Sequence, residues 1–202
     1  MGTKSFHPLV AMARRRQRPG AGSIVREPET PYFSVDFTGM FSVPFAVVGG
    51  QATKAYMPAR HTLDWDVLVH RDDLDRARRD LESAGAHSFR SLTIPRFSCR
   101  LAGGEPVDVV SGEAGWVAGA LGRPNRAEAG GQPVLGLPYL VLMKMESGRV
   151  QDLADVSRML GCAADETFDV VRSVVVRWLP DALDDLESLW ELGKMERDGR
   201  KG

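Results

Sequence analysis

The stretch FAVVGGQATKAYMPARHTLDWDVLVH, residues 45–70, decides how this chain should fold. Its first four residues form a short apolar run that Gly49 and Gly50 end, a pattern typical of a buried strand followed by a turn. A short helix can follow at residues 51–56, because Pro58 prevents it from continuing. Residues 65–69 are aromatic and β-branched and predict a second strand.

The segments on either side extend this pattern. An apolar stripe with helical spacing predicts a helix after the second strand, ended by Gly85. Residues 96–101 and 107–110 are predicted as two strands joined by a glycine-containing hairpin loop. From Pro138 the chain is predicted to be helical. We therefore expect an α+β fold: a small mixed β-sheet core with helices on one side and a C-terminal helical extension.

Three parts are predicted along the chain: a flexible basic tail at residues 1–31, an α/β core at 32–137, and a helical part at 138–202 packed on the core. The 202 residues carry 26 Lys and Arg against 27 Asp and Glu, a net charge of −1. This balance excludes a generic polyanion-binding protein, although the tail could steer RNA. Two cysteines without partner spacing, and no apolar run of about 20 residues, predict a cytoplasmic protein with no membrane contact.

Carboxylates supply the chemistry. Asp64 and Asp66 are two residues apart, so on a strand they share a face and repel each other. A divalent ion, Mg²⁺ or Mn²⁺, would offset them with hard oxygen ligands, although a plain charged pair at a strand end has the same pattern. The backbone N–H groups of Gly49 and Gly50 can receive a phosphate, or simply form a turn. Asp108, a carboxylate within an apolar strand, is a third candidate. The alternative is that Asp108 is an outward-facing residue on an edge strand.

Together, the glycine turn, the two aspartates and the later strand aspartate resemble the nucleotidyltransferase superfamily of the DNA polymerase β type. The closer resemblance is to its bacterial AbiEii/AbiGii toxin-like branch. The GGxA motif of that branch matches residues 49–52, RxTxDxD matches residues 60–66, and KxxxxRxxDxxD matches residues 144–155. Two residues depart from the pattern: Trp65 replaces a small aliphatic residue, and Pro58 stands where glycine is common.

The resemblance implies a role for each matched residue. Asp64 and Asp66 would bind two metal ions, and Asp108 would bind the catalytic ion and help to deprotonate the acceptor hydroxyl. Nucleotide binding would fall to five residues: Gly49, Gly50, Thr62, Lys144 and Asp152. The alternative for Lys144, Arg149, Asp152 and Asp155 is a set of salt bridges between helices. His61, beside the site, is assigned no role.

The predicted function is metal-dependent transfer of a nucleoside monophosphate from a nucleoside triphosphate (NTP) to an acceptor hydroxyl. The toxin-like resemblance favours RNA, particularly a tRNA 3′ end, or a protein as acceptor, with a cognate antitoxin as a further partner. One alternative is an adenylyltransferase acting on a small molecule of antibiotic type. The other is a catalytically silent domain that binds a nucleotide or a partner.

Overall fold

A computed structural model describes residues 34–60, 62–91, 96–126 and 131–199. These residues form two compact units, at 34–136 and 137–199. The predicted basic tail at residues 1–31 and the residue His61 lie outside the described residues.

The first unit is built on a five-stranded mixed sheet in the order β1-β2-β5-β4-β3. Strands β2 and β5 are parallel, and every other neighbouring pair is antiparallel. The predicted α+β fold with a mixed sheet is confirmed. The strands are β1 (Phe45–Val48), β2 (Trp65–His70), β3 (His87–Ser91), β4 (Arg96–Arg100) and β5 (Pro106–Gly112).

One face of this sheet is apolar. Trp65 and Val67 in β2 alternate with polar Asp66, so they point to the face opposite the aspartate. Both are buried, and the Trp65 ring packs edge-on against Phe37 at a centroid distance of 5.4 Å. Trp65 is the largest fully buried side chain among the described residues, and on the face of Asp66 the side chains of Val48 and Leu68 are buried as well.

Three helices belong to the first unit: α1 (Gly49–Ala52), α2 (Leu74–Ser83) and α3 (Val117–Leu121). Helix α2 buries Ala77 and Leu81, the apolar stripe that its sequence predicted. Its Arg78 guanidinium lies 5.0 Å from the centroid of the Phe89 ring. Phe89 in turn contacts Phe97, whose register partner is Val109, so α2 covers the Trp65 face.

Strand β3 has no counterpart in the sequence-based prediction. Its residues are HSFRS, and four of the five are exposed. It is the edge strand beside β4, where little apolar surface is buried. A strand of this kind lacks the apolar alternation by which strands are recognised.

The second unit is helical, as the sequence predicted. Helix α5 crosses α7 at two glycines: a side chain on Gly161 would overlap the backbone of Gly193, and one on Gly193 would overlap the carbonyl oxygen of Ser157. None of the helices described is both long enough and apolar enough to span a lipid bilayer. The helices are α4 (Leu137–Ser147), α5 (Val150–Cys162), α6 (Asp165–Trp178) and α7 (Leu183–Asp198).

Candidate functional site

The glycine turn after β1 sits directly against a carboxylate. Gly49 has φ +64°, a conformation that L side chains rarely adopt. A Cβ atom at this position would also overlap the carboxylate of Asp66. Both the backbone conformation and the approach of Asp66 therefore require glycine here.

The second glycine faces two polar side chains. A Cβ atom on Gly50 would lie 2.8 Å from Oγ1 of Thr62 and 3.0 Å from Nη2 of Arg60. The side-chain amide of Gln51 donates from Nε2 to the carbonyl oxygen of Thr62 at 3.1 Å. The structure thus brings Gly49, Gly50, Thr62 and Asp66 together.

Gln51 adds a feature that the sequence did not point to. Its side chain is only 3% exposed, and its Oε1 atom has no hydrogen-bond partner in the structure. A buried acceptor without a donor is unfavourable, so such atoms are uncommon in folded proteins. The turn therefore holds an unsatisfied acceptor next to its two glycines.

Asp66 and Asp108 are direct neighbours across two strands. They are register partners in the parallel pair β2–β5, so both side chains lie on the sheet face opposite Trp65. Both are partly buried. Because β5 lies between β2 and β4, the alternative that placed Asp108 on an edge strand is wrong. Like charges in this arrangement repel, and a cation between them would remove the repulsion.

The charge of Asp108 affects the pKa of the Cys99 thiol on the neighbouring strand. Burial is the main reason that the pKa of Cys99 is raised to about 11, and the Asp108 carboxylate raises it further, against a smaller lowering by Arg78. Cys99 is buried and stays a neutral thiol at physiological pH. It is therefore a core residue, consistent with a cysteine that has no catalytic part.

Asp64 stands apart from this pair. It precedes β2, which begins at Trp65, and its side chain is exposed. Within the described residues, no group of three or more His, Cys, Asp or Glu side chains is placed to hold a metal ion. The hard carboxylate oxygens of Asp66 and Asp108 fit a divalent cation such as Mg²⁺. A metal role for Asp64 remains a prediction from its motif.

Lys144 lies in a buried ionic network of the helical unit. Its Nζ atom donates to Oδ1 of Asp152 at 2.8 Å and to Oδ2 of Asp155 at 2.9 Å. Lys144 is 4% exposed and Asp155 is fully buried. Oδ2 of Asp152 also accepts from Ser147 and from Arg149, at 2.7 and 2.9 Å. The salt bridges between α4 and α5 are therefore present; nucleotide binding by Lys144 and Asp152 stays a prediction.

The network sets the charge of Asp152. Burial alone would raise the pKa of this carboxyl group. The hydrogen bonds from Lys144 and Ser147, together with the charges of Lys144 and Arg149, outweigh burial and hold the pKa below its ordinary value. Asp152 is consequently ionised at neutral pH and paired with a cation.

Three arginines share the sheet face of Asp66 and Asp108, and the sequence reasoning did not single them out. On β4, Arg96 and Arg100 each stand two residues from Ser98 and so lie on the same face as Ser98. Ser98 is the register partner of Asp108. Arg90 lies on β3 opposite Ser98. The even spacing of Arg96 and Arg100 on a predicted strand could have shown that these two arginines share a face. Only the order of the strands shows that this face also carries the aspartates.

No protein-family model matches the sequence, and no curated protein matches it. Among solved structures, the chain is similar to the antibiotic-resistance factor ANT(2'')-Ia, described by a solution structure with substrate-regulated conformation dynamics. The identity is 14%, the TM-score is 0.42, and the match covers 79% of this chain and 89% of that chain. At this identity and score, the likeness assigns neither a family nor an activity.

Proposed function

We propose that this protein is a nucleotidyltransferase that moves a nucleoside monophosphate from an NTP to an acceptor hydroxyl, with Mg²⁺ or Mn²⁺ as cofactor. The observation that carries the proposal is the registered pair Asp66–Asp108 with the Gly49 backbone against the Asp66 carboxylate. Two adjacent carboxylates and a glycine turn are the parts that phosphoryl chemistry needs close together.

Asp66 and Asp108 would hold the divalent ion, and Asp64 is proposed as a further ligand from its motif. A bound ion would stabilise negative charge on the attacking and leaving oxygens of an in-line displacement. Asp108 would accept the proton of the acceptor hydroxyl, whose oxygen would bond to the α-phosphorus as pyrophosphate leaves. The backbone N–H groups of Gly49 and Gly50 would donate to the triphosphate. The Thr62 hydroxyl next to Gly50 would donate to the same phosphates.

Lys144 and Asp152 have less support as nucleotide ligands. A lysine ammonium has three donors, and Lys144 gives two of them to Asp152 and Asp155. Withdrawing it from this buried network would remove the ammonium that bridges the two carboxylates. We therefore propose that the main role of these two residues is to stabilise the helical unit.

The acceptor class is the open choice within this proposal. The toxin-like resemblance favours an RNA, particularly a tRNA 3′ end, or a protein hydroxyl, with a cognate antitoxin as partner. The second candidate is a small hydroxyl-bearing molecule of antibiotic type. If no acceptor is labelled, the remaining hypothesis is a catalytically silent domain that binds a nucleotide.

Incubation with each α-labelled NTP tests the proposal, in the presence of Mg²⁺ or Mn²⁺ and with total RNA, protein or small hydroxyl compounds as separate acceptors. We expect the label to enter one pool, and to be lost in Asp66→Asn and Asp108→Asn. The matched control is Asp75→Asn, which changes an exposed carboxylate on α2. Absence of transfer with every NTP and pool, or equal transfer by the Asp66→Asn variant, would contradict the proposal.

A further inference from the structure

Strand β4 places a row of basic side chains on the same face as Asp108. Its residues alternate, so Arg96, Ser98 and Arg100 share one face, while Phe97 and Cys99 share the other. Ser98 is the register partner of Asp108, so the face of the arginines is the face of the aspartate. Arg96 and Arg100 stand four residues apart, or about 14 Å along an antiparallel strand.

Strand β3 continues this row to the edge of the sheet. Arg90 is the register partner of Ser98, so the four side chains Asp66, Asp108, Ser98 and Arg90 follow one another across β2, β5, β4 and β3. We call the surface formed by Arg90, Arg96 and Arg100 the arginine face. It extends from the carboxylate pair towards the open edge of the sheet.

The guanidinium groups of this face have little internal compensation. The Nε atom of Arg96 is buried and has no hydrogen-bond partner. Within the described residues no salt bridge involves Arg90, Arg96 or Arg100, and Arg100 donates only to the carbonyl oxygen of Gly104, at 2.8 Å. A desolvated charged donor without an acceptor is unfavourable, so an external anion would satisfy it.

No Phe, Tyr or Trp side chain of the described strands lies on this part of the sheet face, although the exposed imidazole of His87, the register partner of Arg100, does. Phe89 and Phe97 point to the opposite face, where their ring centroids are 5.7 Å apart. Proteins that stack the bases of single-stranded nucleic acid on a sheet use exposed aromatic rings for that purpose. The arginine face carries three guanidinium groups and, among the described strand residues beside them, the imidazole of His87 as the one aromatic ring, so a nucleic acid bound here would be held mainly by its phosphates.

We infer that the arginine face binds the sugar–phosphate backbone of a single-stranded RNA and leads its end to the Asp66–Asp108 pair. This inference rests on the proposed function, because the bound strand would carry the acceptor hydroxyl. Three separated arginines along and across the strands suit a chain of phosphates better than one small anion. Their positive charge also disfavours a cationic small molecule as acceptor.

Fluorescence anisotropy with a labelled 20-nucleotide oligouridylate, in EDTA and without NTP, tests the inference separately from catalysis. The variant is Arg90→Gln/Arg96→Gln. The control is Arg79→Gln/Arg158→Gln, which removes the same charge from exposed positions on α2 and α5. We expect the first double variant to bind at least about tenfold more weakly and to lower the slope of log K against log salt by about 1.4, since each single-strand phosphate contact contributes about 0.7. The control should bind within about twofold of wild type.

One further variant and two further probes complete the test. Arg90→Lys/Arg96→Lys should recover most of the affinity, because phosphates bind lysine as a point charge. The midpoints of thermal unfolding of this variant and of Arg90→Gln/Arg96→Gln show whether the fold is intact. Oligoadenylate should bind within about twofold of oligouridylate. Unchanged binding by Arg90→Gln/Arg96→Gln, a strong base preference, or equal binding of a polyglutamate of similar length would overturn the inference.

The outcome separates this inference from the proposed function. RNA binding that depends on Arg90 and Arg96, without label transfer to any acceptor, would leave the arginine face standing and contradict the enzymatic proposal. Label transfer to a small molecule, without RNA binding, would do the reverse.

Discussion

Two pairs of aspartates in this chain have opposite surroundings. Asp152 and Asp155 lie in the helical unit, buried, with the Lys144 ammonium within 2.9 Å of both. Asp66 and Asp108 lie side by side in the sheet unit, partly exposed. Asp108 has no salt bridge within the part of the chain that is described. In the helical unit the two aspartates are therefore buried around a lysine, while in the sheet unit two aspartates lie side by side at a partly exposed position.

The difference bears on how acidic motifs are interpreted. Charges that are buried and fully paired contribute mainly to the arrangement of helices, and removing one partner leaves an isolated charge. Like charges on neighbouring strands repel each other, and a cation bound beside them lowers this repulsion. On this basis the sheet pair is the better candidate for chemistry, and the helical pair for stability.

The largest expected effect is that of Lys144→Met. It removes the ammonium that bridges buried Asp152 and Asp155 and leaves Arg149 as the cation at Asp152, so the free energy of unfolding should fall by about 3–5 kcal/mol. Urea unfolding followed by circular dichroism measures it, with the exposed Arg158→Met as control. Wild-type stability combined with lost label transfer would show instead that Lys144 acts on the nucleotide.

Gly49→Ala should come next, because it strains the backbone and meets the Asp66 carboxylate. The matched control is Gly104→Ala, whose φ is +94° but whose Cβ would meet nothing within 4 Å. The strained conformation alone costs about 1–2 kcal/mol in both variants. Crowding against Asp66 should add about 1–3 kcal/mol in Gly49→Ala only. Equal unfolding free energies of the two variants would show that the turn and Asp66 are not in tight contact.

Asp108→Asn should separate activity from stability. Label transfer should fall by at least about a hundredfold, the usual effect of removing a charge-stabilising group from a site. The free energy of unfolding should stay level or rise by up to about 1 kcal/mol, because a like-charge neighbour of Asp66 is removed. If thermal unfolding instead shows a marked loss of stability, the sheet pair is structural after all and the contrast with the helical pair disappears.

The pH dependence of stability gives the smallest effect. Because the folded-state pKa of Asp152 is lowered, its contribution to stability is complete above its ordinary pKa of 3.8 and is lost as the pH falls through the lowered value. Asp152→Asn should be less stable than wild type at pH 6, and the difference should shrink towards pH 3. Urea unfolding across this range measures it; a constant difference would mean that the carboxylate charge is not involved.

Much of the fold could be predicted because its signals are local. The apolar run at residues 45–48 and the helical stripe with Ala77 and Leu81 both show in the sequence which residues are buried. The helical character of the C-terminal part was predicted in the same way. Strand β3 was missed because an exposed edge strand needs no apolar alternation. The parallel pairing of β2 with β5 joins residues about 40 positions apart, and no short-range pattern specifies it.

The candidate site divides in the same way. The glycine turn and the two strand aspartates were found because each has a local signature. That Gly49 touches Asp66, and that Asp66 stands beside Asp108, depends on the order of the strands. Asp64 was expected on the same face as Asp66, but β2 begins one residue after it. The arginine face was missed because β3 was missed, and with it the position of Arg90.

The crossing of α5 and α7 at Gly161 and Gly193 brings main chain against main chain, with no side chain between. Helix α5 is thereby fastened towards its carboxyl end by this contact and towards its amino end by the aspartates that hold Lys144. A helix fixed at both ends has little opportunity to fray. In hydrogen–deuterium exchange, its central amides should be among the last in the helical unit to take up deuterium.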